Sequence, residues 1–207
     1  MKLSSLVCAT LDFDYPPEDF DDPTKQVLEQ ILQLKHIKEL NIRNRYIKTL
    51  SDLGVEVLSS PPLNCECLTL DATHFDEHLL GIVCAIHSSP MLEKLVINLR
   101  LFQCEMSADV PDLNDWREKN YWNSDGTVFN CCMSQLKIIK IVIFSDGFSQ
   151  CKHLLEFVEF LLNNATELEL MGLALRDGGI KDGGTDLADQ ISQKLLSIPN
   201  SWKVYNW

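Results

Sequence analysis

One short phrase, repeated along the chain, constrains the fold more than any other feature. An apolar residue is followed by two others and then by an alternating apolar pair. It occurs at Ile37-Lys38-Glu39-Leu40-Asn41-Ile42, at Cys65-Glu66-Cys67-Leu68-Thr69-Leu70 and at Leu92-Glu93-Lys94-Leu95-Val96-Ile97. It returns at Leu136-Lys137-Ile138-Ile139-Lys140-Ile141 and, shortened, at Thr166-Glu167-Leu168-Glu169-Leu170. Strict alternation marks a strand with one buried face. Such a strand hides its apolar side only beside others like it, so the repeat predicts a stack.

The spacing gives the size of the unit. Leu40 to Leu68 is 28 residues, Leu68 to Leu95 is 27 and Ile139 to Leu168 is 29. These steps fall within the roughly 20–29 residues of leucine-rich repeats. Leu95 to Ile139 is 44 residues. The excess is the segment 103–130, which lacks periodicity and is rich in Asp, Asn, Ser and Trp, as an insertion between repeats would be. Leu6 to Phe13 alternates and predicts a further strand at the start. Helical periodicity covers Thr24–Leu34, Asp76–His87, Cys151–Asn163 and Asp186–Ser197. Pro23, Pro90 and Pro199 punctuate these segments. Helical crossovers between strands make the strands parallel.

The expected fold is therefore an α/β leucine-rich-repeat solenoid, a horseshoe with a concave parallel sheet and helices on the convex side. Residues 1–102 read as the repeat region, 103–130 as an inserted acidic loop, and 131–207 as C-terminal repeats with a cap. Trp202, Tyr205 and Trp207 are expected to cover the last repeat. The exposed strand face is expected to carry Lys38, Asn41, Glu66, Thr69 and Glu93. Glu39, Lys94, Lys137, Lys140, Glu167 and Glu169 are expected beside them.

Charge narrows the partners. The 207 residues hold 30 acidic and 18 basic side chains, a net charge of −12. An acidic surface repels phosphate backbones and anionic headgroups, so neither nucleic acid nor a membrane is expected as a partner. No apolar run approaches the roughly 20 residues that span a bilayer, and the apolar stretch at Leu3–Ala9 is short for a signal peptide. The eight cysteines sit mostly inside apolar patterns, as small core residues. That usage suits a reducing compartment, the cytoplasm or nucleus, where the sequon Asn164-Ala165-Thr166 has no glycosylation role.

Candidate chemistry is sparse. Cys65 and Cys67 with His74 and His78 form the sharpest alternative, since two thiolates and two imidazoles can close a zinc tetrahedron. A metal-dependent or small-molecule enzyme on this scaffold would need those four to converge. Cys-x-Cys is a poor zinc knuckle, however, and the simpler expectation is core cysteines with histidines on a helix surface. The glycine-rich stretch Asp177–Asp186 lacks the alternating ligands of a calcium loop and the Gly-Lys-Ser/Thr of a phosphate loop. Cys151 and His153 are neighbours at a helix start without a nucleophile elbow. The carboxylates of Asp12, Asp14, Glu18, Asp19, Asp21 and Asp22 read as a solvated loop. No catalytic, cofactor or metal site is assigned, and the chain is not expected to be an enzyme. Trp116, Tyr121 and Trp122 in the insertion are candidates for protein contact or for docking on the flank of the repeats.

Six short stretches bear a family likeness. Cys67–Asp71 and Ser88–Ile97 are similar to the repeats of plant F-box/leucine-rich-repeat proteins. Tyr121-Trp122, Cys131-Cys132, Leu136–Ile141 and Phe157–Ala165 resemble the FBD domain that closes many of them, with FBD-like residues from 120 to 203. The resemblance implies recognition of a protein, held for a ubiquitin ligase whose Skp-type adaptor docks on an F-box. Nothing before Leu6 reads as an F-box. The expectation is thus the substrate-recognition half of such a receptor, with a Skp-type adaptor as partner only if an F-box lies upstream. The other reading is a truncated, non-functional remnant.

Overall fold

Alternation along the repeated phrase is realised as a sheet. The computed structural model describes residues 7–12, 34, 36–53, 62–73, 75–101, 133–145, 153–177, 193 and 203–206. Among them are seven strands: β1 (Cys8–Leu11), β2 (Glu39–Arg43), β3 (Cys67–Ala72), β4 (Lys94–Leu101), β5 (Ile138–Ser145), β6 (Leu170–Asp177) and β7 (Lys203–Asn206). They lie side by side in chain order, every neighbouring pair parallel. Three helices accompany them: α1 (Asn44–Leu53), α2 (Phe75–His87) and α3 (Leu154–Asn164). No helix among the described residues is long and apolar enough to cross a membrane.

Register places like residues in rows. Leu40, Leu68, Leu95, Ile139 and Met171 face one another across five strands. Ile42, Leu70, Ile97, Ile141 and Leu173 form the next inward row. All ten are buried in one core shared with the helices. Burying an aliphatic side chain of this size stabilises by about 1.5–3 kcal/mol, so the two rows are the main cohesive element.

A repeated corner feeds each strand. Lys38 and Glu39 both donate their peptide N–H to the Val7 carbonyl, and Glu66 with Cys67 do the same to Lys38. The pairs Glu93 with Lys94, Lys137 with Ile138, and Glu169 with Leu170 repeat it, each reaching the carbonyl at the equivalent point of the preceding strand. Two consecutive donors on one acceptor break the alternation for a step. That break explains why the two residues after each apolar leader are both non-core while Ile37, Cys65, Leu92, Leu136 and Leu168 are buried. One turn earlier, Ile37, Leu92, Leu136 and Leu168 donate back to Leu34, Ser89, Met133 and Ala165. The unit is therefore longer than the phrase visible in sequence.

The helices cover the inward rows. Tyr46, Ile47 and Leu50 of α1 are fully buried. α2 is buried on almost every side, with Phe75, Leu79, Ile82, Val83 and Ile86 inside. It lies against α1 on one flank and, through an edge-on contact of Phe75 with Phe157 at 5.6 Å, against α3. Gly81 sits where α1 comes closest. Its N–H donates to the Ser51 hydroxyl at 2.8 Å, and a Cβ here would overlap the Ile47 carbonyl oxygen and crowd the Ser51 hydroxyl at 2.7 Å.

Several expectations need correction. The fifth phrase is out of register by three residues: Met171, not Leu168, pairs with Ile139, and Leu170 faces outward. Glu167 lies in the turn before β6 rather than on a strand. Helix α1 was not expected from sequence. The expected cap falls on β7 at Tyr205, whose backbone pairs with Gly172, and Trp202 and Trp207 lie outside the described residues. The helices expected at 24–34 and 186–197 fall almost wholly outside the described residues, as does the insertion.

Candidate functional site

The residues that alternate with the core rows form the outer face of the sheet. On β1–β3 this face is polar and internally paired. Arg43 donates from a terminal nitrogen to Asp12 at 2.6 Å, and its Nε lies 3.8 Å from Asp71. Asn98 on β4 donates its amide to the other Asp71 oxygen at 2.6 Å. One polar chain thus runs across four strands: Asp12, Arg43, Asp71, Asn98. Such exposed pairs contribute only about 0–1 kcal/mol each, so their main effect is to fix side-chain positions.

A second charged row lies at the corners. Lys38 donates to Glu66 at 2.6 Å, and Lys137 approaches Glu93 at 3.4 Å. The hydrogen bond to Glu66, then the charges of Glu66 and Glu93, hold the Lys38 ammonium above its ordinary value. Three of the predicted contact residues, Lys38, Glu66 and Glu93, are therefore neighbours in this row. The other two strand candidates, Asn41 and Thr69, pair with each other in the middle of the outer face. The Asn41 side-chain oxygen accepts no hydrogen bond. Trp116, Tyr121 and Trp122 lie outside the described residues.

Beyond β3 the face changes character. Arg100 and Arg176, two strands apart, both stand over the ring of Phe144 between them, at 5.7 and 5.8 Å from its centre. Beside this trio, Val96 and Val142 are half-buried aliphatic side chains on the same outer face. Sequence reasoning missed Arg100, Phe144 and Arg176. For Arg100 and Phe144 the signal was available, since each lies an even number of residues from an outward position of its strand, whereas the misread register of β6 hid Arg176.

The alternative metal quartet is not assembled among the described residues. Cys65 is buried and its thiol donates to the Cys67 carbonyl at 2.9 Å. Burial pushes that thiol up to about 12, which opposes the thiolate a metal requires. Cys67, expected in the core, is half-buried on the outer face, and desolvation raises it as well. His78, expected on a helix surface, is buried in α2, while His74 lies outside the described residues. Among the described residues no three His, Cys, Asp or Glu side chains group so as to hold a metal ion. His153 is buried at the start of α3 with Nδ1 3.3 Å from Glu156, a local contact within the helix. Its expected neighbour Cys151 lies outside the described residues.

No protein-family model, curated protein or solved structure matches the chain.

Proposed function

We propose that this chain is a leucine-rich-repeat solenoid that binds another protein on the outer face of its sheet. In that role it corresponds to the substrate-recognition half of a plant F-box/leucine-rich-repeat/FBD protein. The observation that carries the reading is the repeated corner, which sets successive strands in one register so that alternate residues build a single face crossing the sheet. The inward residues are committed to stacking, whereas the outward ones are free to vary with the partner. A broad face with fixed side chains suits surface complementarity with a macromolecule better than the concave, apolar enclosure a small substrate needs.

The four described cysteines carry free thiols, which supports a reducing compartment, the cytoplasm or nucleus. In the family, ligase recruitment belongs to the F-box and its Skp-type adaptor, and the stretches that resemble the family here are its recognition part.

The test places a photo-crosslinking residue at Thr69 or Val142 on the outer face, and at Lys48 or Asn163 on the helix side. Outer-face positions are expected to trap one discrete partner. Trapping from the helix positions alone overturns the assignment of the face. Purified Skp-type adaptor is expected not to bind this chain by itself, and direct binding would reveal an F-box equivalent within these residues.

A further inference from the structure

We propose that the β4–β6 half of the outer face binds an acidic, extended peptide segment. Its carboxylates would lie on Arg100 and Arg176, and its apolar side chains on Val96 and Val142. This rests on the reading of the outer face as a protein-binding surface and adds the chemical class of what it takes.

Charge distribution is the first argument. The chain has 30 acidic and 18 basic residues, yet the outward-alternating positions of β4, β5 and β6 hold Lys94, Arg100, Lys140 and Arg176 and no Asp or Glu. The outward positions of β2 and β3, by contrast, include Glu39 and Asp71 beside Arg43. A cationic patch on an acidic protein is a local feature of this half of the sheet. Its complement is anionic.

The second argument is the state of the two guanidiniums. Neither Arg100 nor Arg176 has a carboxylate partner among the described residues; each instead rests on the Phe144 ring. A guanidinium stacked on an aromatic ring keeps its in-plane N–H donors available for bidentate contact with a carboxylate. The shared ring also restricts both side chains beforehand, which lowers the entropy lost on binding.

Spacing and apolar character specify a peptide. Strand spacing puts the Arg100 and Arg176 Cα atoms about 10 Å apart, and Lys94 lies roughly 20 Å along β4 from Arg100. About six extended residues span that length. Val96 and Val142 lie between, exposing aliphatic surface that a bare polyanion leaves wet. Nucleic acid fits less well, because a net charge of −12 repels a long phosphate backbone beyond the patch.

The experiment uses the full chain and a fluorescent random Glu/Tyr copolymer, read by anisotropy at about 0.15 M ionic strength. Polyglutamate, a Lys/Tyr copolymer and oligothymidylate are the comparison probes. The Glu/Tyr copolymer is expected to bind more tightly than polyglutamate, and the other two not to bind. Arg100→Gln with Arg176→Gln is expected to weaken binding roughly tenfold or more, Arg176→Gln alone by less, and Lys48→Gln not at all. Both arginines are exposed, so unchanged thermal unfolding of the variants is expected as a check. Equal binding by the double variant, no binding of the Glu/Tyr copolymer, or preference for oligothymidylate overturns the proposal. If outer-face crosslinks persist in that event, only the acidic class falls. Crosslinks confined to the helix side remove the binding face itself.

Discussion

Replacing Gly81 with Ala tests the contact between α1 and α2 directly. The added methyl has to displace the Ile47 carbonyl oxygen, which is helix backbone and cannot swing aside, and the Ser51 hydroxyl. The helices must part by on the order of 1 Å, and overfilling a packed interface in this way costs about 1–3 kcal/mol. Weakening the Gly81 N–H to Ser51 hydrogen bond adds about 1 kcal/mol. The better helix propensity of Ala returns about 1 kcal/mol. The net loss is therefore about 1–3 kcal/mol, or roughly 4–8 °C in Tm for a 2 kcal/mol loss in a chain of this size. Urea unfolding followed by circular dichroism measures it. Adding Ser51→Ala removes the hydroxyl clash but leaves the carbonyl, so the double variant should remain close to Gly81→Ala. A Gly81→Ala protein as stable as the parent would refute the close approach of α1 and α2.

Two further outcomes follow from burial. Cys65 and Cys84 are pushed up to about 12 from 9.0, and Tyr46 up to about 12 from 10.0, in each case chiefly by desolvation. Above about pH 9 the unfolded chain releases protons that the folded chain keeps, so stability falls with pH, by on the order of 2–3 kcal/mol between about pH 8 and pH 10 from the two thiols. The raised Lys38 acts in the same direction at higher pH, its contribution present below 10.5 and lost above its folded value; urea midpoints that stay flat across this range would contradict the burial. Ile97, fully buried in the second inward row, is expected to cost about 2–5 kcal/mol when cut to Ala, and a loss below 1 kcal/mol by urea unfolding would contradict its placement.

The ease of reading differed among elements for identifiable reasons. β2 to β5 were visible because the first two inward residues of each are Leu or Ile at alternate positions. β6 misled because Leu168 and Leu170 alternate as a strand should, whereas the corner puts Leu168 in the leader position and hands the strand rows to Met171 and Leu173. α1 was missed because its core face is only Tyr46, Ile47 and Leu50, set among Arg45, Lys48 and Asp52. His78 was misplaced because its surroundings depend on α2 lying between α1 and α3, which helical periodicity does not report.

The sequence by itself determined that strands stack and which residues of β2 to β5 turn inward, because apolar burial is periodic and periodicity is local. Tertiary structure alone decided which outward residues meet. Parallel strands from positions 100, 144 and 176 place two arginines over one phenylalanine. The same register links Asp12, Arg43, Asp71 and Asn98 across four strands. Lateral contacts depend on the length of each crossover and on the corner that starts each strand. Alternation within a strand reported neither for β6, so the core rows of β2 to β5 were legible in advance and the contacts across the outer face were not.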